Sequence, residues 1–284
     1  MEVVSRAASI VALIVMALSL SPSASTPEAE PSSLFAQAAQ STLDRDFPSE
    51  SISYLLLDAQ SGSVIAERWP GADIPIPVGS LIKPFTVLAY AQTHAQFPAV
   101  VCSGQRDSCW LPRGHGRITL TEAIAQSCNA YFLRLAREVA VDRANAVLMS
   151  FGLPPVSIAD KSVALAGLSS DWRVSPLSLV RAYATLARES RERAAQIFSG
   201  MRASAKAGTG RAVSLSLPGR DALAKTGTAR CTHTPRGAAD GFTIVLYPAD
   251  DPRIVLLARV HGVTGATTAA TAGQMIRTLE AGQQ

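Results

Sequence analysis

Charged residues, aromatic residues and lysine are all scarce in this sequence. Charged side chains make up 17% and aromatic side chains 6% of the 284 residues, whereas 48% are hydrophobic. Such a composition excludes an intrinsically disordered protein, and only four cysteines in a chain of this length exclude a disulfide-dense miniprotein. The chain is therefore expected to fold around a large core, as one domain or two closely packed ones.

Arginine supplies most of the positive charge, because only four of the 26 basic residues are lysines. Those lysines are Lys83, Lys161, Lys206 and Lys225. The formal net charge is +4, yet the sequence contains no dense basic run and no alternation of basic with aromatic residues. Nucleic-acid grooves usually carry such patterns, so no nucleic-acid partner is predicted.

The N-terminus has the three parts of a secretory signal peptide. A short segment ends at Arg6, an apolar run covers residues 7–20, and small residues follow it. We predict that residues 1–25 are a signal peptide and that the protein is exported to the periplasm or another extracytoplasmic space. An uncleaved leader that retains the protein at the membrane is the alternative. Residues 26–47 are predicted to form a tether and a first helix.

The cysteine content fits an oxidising compartment. The four cysteines are Cys102, Cys109, Cys128 and Cys231. Cys102 and Cys109 lie seven residues apart in a loop-like stretch, which favours a small disulfide loop. Zinc binding is the competing interpretation because His94 and His115 lie nearby, but no second close pair of Cys or His supports it, and no metal is predicted. His115 is assigned to a loop without a catalytic role.

Patterns typical of strands lie near both ends of the chain, and helical patterns fill the middle. Runs of apolar residues predict five strands, at residues 51–58, 64–68, 221–228, 242–247 and 253–260. Apolar residues three and four apart predict helices through most of residues 80–205 and again over 267–281. We therefore predict an α+β fold, in which a mainly antiparallel sheet is flanked by N- and C-terminal helices and interrupted by a large all-helical insertion.

The first chemical motif, Ser80-Leu81-Ile82-Lys83, opens a predicted helix. A spacing of three residues places the Ser80 hydroxyl and the Lys83 amine on one helical face, one turn apart. A helix N-terminus disfavours a protonated amine, and burial does so too, so Lys83 would be a usable base for Ser80. The motif alone more often marks an exposed lysine in a first helical turn, but Lys83 is the only lysine with a serine three places earlier.

Two further motifs carry polar side chains. Ser127-Cys128-Asn129 lies at a predicted break between helices, where a hydroxyl and a carboxamide can relay a proton and bind a substrate amide. Asn129 as a simple helix cap is the alternative. Lys225-Thr226-Gly227-Thr228 lies in a predicted strand. A glycine there lets a ligand approach the backbone, and the lysine and hydroxyls suit a carboxylate; a bulged edge strand is the alternative.

In this order, the three motifs resemble the signature of serine penicillin-binding transpeptidases and the related β-lactamases. The similarity extends over flanking residues of each motif and covers about residues 50–280, close to the whole exported chain. It implies the fold predicted above, with residues 48–284 as a transpeptidase-like catalytic domain and residues from about 80 to 205 as its helical subdomain.

The resemblance also implies catalytic roles. Ser80 would be the acylated nucleophile, Lys83 its base and Ser127 the proton shuttle. Lys225 would supply positive potential at the site. The backbone N–H groups of Ser80 and Thr228 would form the oxyanion hole.

The remaining motif residues would bind substrate. By the same resemblance, Asn129 would hold the substrate amide, Thr226 and Thr228 would bind its carboxylate, and Gly227 would leave room for it. Cys128 and Cys231 would both lie near the cleft, where a disulfide between them and free thiols are the two alternatives.

The activity implied by the resemblance is acyl transfer on the D-Ala-D-Ala end of peptidoglycan stem peptides, as a transpeptidase, a D,D-carboxypeptidase or both, with β-lactams acylating Ser80. A serine β-lactamase is one alternative, but no recognisable deacylation motif surrounds Glu122, Asp160 or Asp171. A non-catalytic protein that senses β-lactams or muropeptides is another.

The expected partners are the peptidoglycan stem peptide and β-lactams, with no cofactor. A glycosyltransferase or cell-wall scaffold protein is a further candidate partner, because the roughly 25 residues between the leader and the first strand are too few for another domain.

Overall fold

The computed structural model describes residues 31–189, 191–232 and 239–282. The predicted signal peptide and the first residues of the tether lie outside this part of the chain. Within it, no helix combines the length and the apolar character needed to span a membrane.

Seven strands and ten α-helices make up the described part of the chain. The strands are β1 (Ile52–Asp58), β2 (Val64–Arg68), β3 (Val100–Cys102), β4 (Gly116–Ile118), β5 (Leu223–Ala229), β6 (Asp240–Tyr247) and β7 (Ile254–His261). The helices are α1 (Pro31–Asp46), α2 (Lys83–Ala91), α3 (Leu120–Ala125), α4 (Asn129–Glu138), α5 (Val141–Ser150), α6 (Lys161–Leu165), α7 (Pro176–Arg188), α8 (Arg191–Ala207), α9 (Arg211–Ser216) and α10 (Gly265–Ala281).

Five strands form one antiparallel sheet in the order β2-β1-β7-β6-β5. The first two and the last three strands of this sheet come from opposite ends of the chain, and the helices α2 to α9 lie between them in sequence. This arrangement confirms the predicted α+β fold with a helical insertion. It also places β5 at one edge of the sheet, so that the Lys225-Thr226-Gly227-Thr228 segment borders the insertion.

The two faces of the sheet pack against different helices. Ile244 and Leu246 of β6 join a core shared with the helical insertion, whereas Val245 and Tyr247 join a core with α1 and α10. This alternation follows from the period of two in a strand, and it explains why all eight residues of β6 are buried. Each fully buried leucine or isoleucine in these cores stabilises the fold by about 1.5–3 kcal/mol.

Helix α2 is buried on every side. Residues 83–90 are all buried, including Lys83, and Phe85 packs edge-on against Phe151 and Tyr183. A helix that is apolar all round belongs in a core, so the one charged group at its start is carried into the interior with it. Pro84 is tolerated because it occupies the first turn, where its missing N–H would have no helical partner.

Some local predictions differ from the structure. The predicted helix that contains the Ser80-Leu81-Ile82-Lys83 motif begins only at Lys83, because residues Gly79–Ile82 form a 3₁₀ turn. The paired strands β3 and β4 and the short helices α6 and α9 were not predicted. Strands of three residues and helices of five or six are too short to give a periodic pattern in the sequence.

Candidate active site

Ser80 lies in the 3₁₀ turn that leads into α2. Side chains three residues apart eclipse each other in such a turn, which keeps Ser80 and Lys83 on one side even though the α-helix begins later than predicted. The hydroxyl of Tyr183 on α7 donates a hydrogen bond of 2.7 Å to the Leu81 carbonyl oxygen and ties the turn to the helical layer. The hydrogen bond from Tyr183 thus fixes the turn, while Ser80 itself is half-buried.

Gly79 allows this turn to pack directly against β5. Its φ of 57° lies in the left-handed region, and a Cβ atom added there would stand 2.5 Å from the Thr228 carbonyl oxygen. Both the backbone conformation and the close approach therefore require glycine. The contact sets the distance between Ser80 and the strand that carries Thr228.

We expect Gly79→Ala to destabilise the protein and to displace Ser80. The left-handed conformation and the clash with Thr228 together should lower the free energy of unfolding by more than about 2 kcal/mol. Gly62→Ala is a matched control, since Gly62 has a φ of 73° but nothing lies within 4 Å of its added Cβ. Denaturant unfolding should show a loss of only about 1 kcal/mol for the control; equal losses for the two variants would show that the contact with Thr228 does not matter.

Lys83 is fully buried and meets the second motif. Its Nζ donates to the Ser127 carbonyl oxygen at 2.9 Å, to Asn129 Oδ1 at 2.8 Å and to Ser127 Oγ at 3.3 Å. No hydrogen bond joins the Ser80 hydroxyl to Lys83 Nζ among the described residues. The Lys83 amine is therefore hydrogen-bonded to the Ser127-Cys128-Asn129 segment and not to Ser80.

Ser127 stands between the two buried lysines. Lys225 Nζ donates to Ser127 Oγ at 2.9 Å, in addition to the longer contact of 3.3 Å from Lys83. Because both amines donate to this oxygen, the Ser127 hydroxyl hydrogen can point elsewhere, toward the cavity that Ser127 lines. The residue holds a φ of 52°, a left-handed conformation that is uncommon outside glycine and that local contacts must maintain.

Burial controls the charge of both amines. It lowers the pKa of Lys83 to about 7, while the nearby Cys128 and Cys109 side chains act in the opposite direction. Burial also lowers the pKa of Lys225 well below its ordinary value, and the positive charge of Lys83 adds to that shift. A neutral amine that can accept a proton near pH 7 is therefore available beside Ser127.

The strand β5 supplies the third motif. Gly227 lies so close to the nucleophile turn that an added Cβ would meet the Val78 carbonyl oxygen at 2.7 Å. Thr228 is exposed, and its Oγ1 accepts a hydrogen bond of 2.9 Å from the Gly265 N–H, which leaves its own hydroxyl hydrogen available to a ligand. Thr226 Oγ1 donates to Thr209 Oγ1 at 2.6 Å.

The three motifs converge on one cavity of about 350 Å³. Of the predicted site residues, those that line it are Ser80, Ser127, Asn129, Thr226, Gly227 and Thr228. Lys83 and Lys225 do not line the cavity, but both donate hydrogen bonds to Ser127, which does. The structure thus brings together all eight predicted catalytic and substrate-binding residues.

Six lining residues were not predicted from the sequence. They are Trp110, Gly167, Leu168, Thr209, Thr264 and Ala266. Thr209 had a visible signal, a threonine between two glycines just before a helix, but its position beside Thr226 depends on tertiary structure. Trp110 is half exposed at the cavity, where its indole N–H donates to the Gln126 carbonyl oxygen.

No acidic side chain lines the cavity within the described part of the chain. Glu122 is occupied in a capping box, where its carboxylate accepts from the Thr119 N–H at 2.8 Å. Asp160 accepts a hydrogen bond from the Ser157 hydroxyl, and Asp171 is exposed. None of the three carboxylates considered in the sequence reaches the site.

The disulfide predicted between Cys102 and Cys109 is not formed, and none of the four cysteines takes part in a disulfide. Cys102 and Cys109 face His115 instead of bonding to each other. Cys128 lies with these residues, whereas Cys231 lies with Asp240 and His261, so the alternative bond between Cys128 and Cys231 is not formed either.

The sequence matches the family model of the penicillin binding protein transpeptidase domain over residues 71–279. The chain therefore belongs to this family, as the order of its motifs predicted. Membership supports a penicillin-binding, transpeptidase-type activity in general. A comparison with curated proteins finds no match.

Solved structures of penicillin-binding proteins share the fold. PBP2 of Pseudomonas aeruginosa, in complex with WCK 5153, is 17% identical over 87% of this chain and 74% of that one, with a TM-score of 0.72. The transpeptidase domain of FtsI4 from Legionella pneumophila is 21% identical over 89% and 96% of the two chains, with a TM-score of 0.65. Helicobacter pylori PBP2, in a complex with MreC, is 16% identical over 86% and 62%, with a TM-score of 0.72.

Proposed function

We propose that the protein is a serine acyltransferase that acts on the D-Ala-D-Ala end of peptidoglycan stem peptides and is acylated by β-lactams. The strongest support for this proposal is the set of hydrogen bonds at Ser127. Lys83 from the first motif and Lys225 from the third both donate to the Ser127 hydroxyl of the second, beside the cavity that Ser80 lines. This is a connected path for a proton next to a nucleophile.

In the acylation step, Ser80 Oγ attacks the carbonyl carbon of the penultimate D-Ala, and neutral Lys83 takes the hydroxyl proton. For this transfer Lys83 must exchange one of its present contacts for Ser80, and catalytic hydrogen bonds commonly tighten only when substrate is bound. The backbone N–H groups of Ser80 and Thr228 stabilise the oxyanion.

Ser127 completes the acylation step. It passes its proton to the amide nitrogen, the C–N bond breaks, D-Ala leaves as an amine, and protonated Lys83 returns a proton to Ser127. Asn129 binds the substrate amide. The terminal carboxylate accepts a hydrogen bond from the Thr228 hydroxyl, and a second from the Thr226 hydroxyl once that group exchanges its bond to Thr209 for the substrate. The charge of the carboxylate favours the protonated form of Lys225.

Deacylation then releases the product. An amine from a neighbouring peptide attacks the ester in transpeptidation, or water attacks it in carboxypeptidation, and Ser80 recovers its proton. The absence of a carboxylate from the described lining of the cavity disfavours fast hydrolysis of a β-lactam ester, because no side chain there can serve as a carboxylate base for water. A β-lactamase is therefore less well supported.

The setting of this activity is also proposed. Export to the periplasm or another extracytoplasmic space would bring the enzyme to peptidoglycan, and a scaffold protein would position it on the glycan. The complex of PBP2 with MreC from Helicobacter pylori, a protein of the same fold, supports a partner of this type.

The test is release of D-Ala from a pentapeptide that ends in D-Ala-D-Ala, with and without an added acceptor amine. We expect release in both arms and a new amide product in the second. A matched peptide that ends in L-Ala-L-Ala should give none. Binding of the peptide without any release would favour the non-catalytic alternative, and sustained hydrolysis of a chromogenic cephalosporin, rather than one equivalent, would favour the β-lactamase.

The rate of acylation should rise with pH and level off above about 7. Only the neutral form of Lys83 accepts the Ser80 proton, and burial lowers the pKa of Lys83 to about 7. Below that value the neutral fraction, and with it the rate, should fall by about tenfold per pH unit. Stopped-flow measurement with a fluorescent penicillin from pH 5 to 9, with thermal unfolding as a check on folding, measures the profile; a rate independent of pH would contradict this role of Lys83.

A further inference from the structure

Three cysteines and a histidine meet at the second motif, because the middle residue of that motif, Cys128, is one of them. Cys102 ends β3, Cys109 follows the next turn, His115 precedes β4, and Cys128 lies between Ser127 and Asn129. One ligand atom from each residue lies within 4.8 Å of the other three. The three cysteines are buried and the histidine is half-buried. We call this group the Cys₃His cluster.

Three of the six distances between ligand atoms of the Cys₃His cluster are close to the edges of a metal tetrahedron. His115 Nδ1 lies 3.5 Å from both Cys102 Sγ and Cys109 Sγ, and Cys109 Sγ lies 4.0 Å from Cys128 Sγ. Around tetrahedral zinc, with bonds of about 2.3 Å to sulfur and about 2.0 Å to nitrogen, these edges are about 3.5 Å for S···N and about 3.8 Å for S···S. A disulfide requires about 2.05 Å between sulfur atoms.

The chemistry of the donor set supports the same interpretation. Three thiols can form only one disulfide and leave one sulfur unpaired, whereas a metal uses all three. The Nδ1 atom of His115 faces the sulfur atoms of both Cys102 and Cys109. Soft thiolates with one imidazole, in a closed set of four, are typical of structural zinc sites.

We propose that the Cys₃His cluster binds one zinc ion, which holds the Ser127-Cys128-Asn129 segment in its catalytic position. The cluster joins three separate pieces of chain: the end of β3 with the turn after it, the residue before β4, and the start of α4. The site is structural rather than catalytic, because four protein ligands leave no position open for substrate or water.

The link to the active site runs through Cys128 and through the loop that carries Cys109. Asn129 Nδ2 donates to the Ser108 carbonyl oxygen at 3.1 Å, while Asn129 Oδ1 accepts from Lys83 Nζ at 2.8 Å. Ser127, on the other side of Cys128, keeps its left-handed φ of 52°. A metal bound to Cys109 and Cys128 would fix both side chains that hold Lys83. Zinc binding itself does not depend on the proposed function, but its effect on acylation does.

The test begins with the full chain purified without chelator. We expect about one zinc per chain by elemental analysis, and the cobalt(II)-substituted protein should show the intense visible bands of a tetrahedral site and thiolate-to-cobalt charge transfer. Cys102→Ser and Cys109→Ser, which lie outside the catalytic groups, should each weaken metal binding at least about tenfold. Cys231→Ser is the matched control, a buried cysteine outside the Cys₃His cluster that should keep the metal.

Spectra of the wild-type protein keep the test valid if a cysteine variant fails to fold. A disulfide between Cys102 and Cys109 in the unreduced protein, with no bound zinc, would overturn the proposal. So would metal that is lost in Cys231→Ser and kept in Cys109→Ser, or octahedral cobalt spectra. Removal of zinc should slow acylation by a fluorescent penicillin by about 10²-fold. Stoichiometric zinc in a protein that no β-lactam acylates would instead contradict the proposed function and leave the metal site standing.

Discussion

Replacement of Ser80 by alanine should lower the rate of D-Ala release from a pentapeptide by at least about 10⁴-fold and abolish covalent labelling by penicillin. Ser80 is the nucleophile candidate on the cavity wall that the two other motifs face. The substitution removes one oxygen from a half-buried position and leaves the turn at Gly79 unchanged, so the fold should be retained. Turnover and labelling are measured on the same preparations.

Two controls make that result specific. The first control is Ser178→Ala, which removes a hydroxyl on α7 that accepts a hydrogen bond from Ser175. This variant should keep full labelling because Ser178 lies outside the cavity. The unfolding temperature of Ser80→Ala should stay within a few degrees of the wild-type value, as for most substitutions outside the core. Labelling that survives in Ser80→Ala would assign the nucleophile to another residue.

Lys83→Met should lower the rate of acylation by about 10² to 10⁴-fold, the usual contribution of a general base. Methionine fills a similar volume but cannot take a proton. The substitution removes three hydrogen bonds to Ser127 and Asn129 and also relieves the cost of a buried amine. Because these effects oppose each other, we expect a folded protein, and thermal unfolding checks it.

The pH profile separates a base from a residue that only packs. In Lys83→Met the residual rate should lose its inflection near pH 7, because the group responsible for it is gone. Lys206→Met is the matched control: its amine forms a surface ion pair of 3.0 Å with Asp221 and its side chain is 54% exposed. The control should react at the wild-type rate, and an unchanged pH inflection in Lys83→Met would assign the base to another group.

Long apolar segments and polar motifs could be predicted from the sequence. The five strands of the main sheet have apolar runs long enough to identify, and their positions at both ends of the chain predict the helical insertion between them. The first motif could be identified because Lys83 is one of only four lysines. The 3₁₀ turn at Ser80 could not, because a 3₁₀ turn and the first turn of an α-helix have the same apolar pattern.

The Cys₃His cluster could not be predicted from the spacing of its residues in the sequence. Cys102, Cys109 and His115 are close in sequence, but no second close pair of Cys or His accompanies them, so the sequence alone does not predict a metal site. Cys128 comes from beyond β4 and α3 and reaches the cluster only because the chain turns back at Ser127. The small sheet that positions Cys102 and His115 consists of two strands of three residues each, which leave no periodic pattern.

The proposed mechanism requires that Ser80 forms the acyl-enzyme. Intact mass measurement after incubation with a penicillin, followed by peptide mapping, tests it most directly. We predict a single adduct per chain, with the mass of the intact antibiotic, on the peptide that contains Ser80. An adduct on any other residue, or a protein that remains unmodified at saturating antibiotic while correctly folded, would show that Ser80 is not the acylated nucleophile.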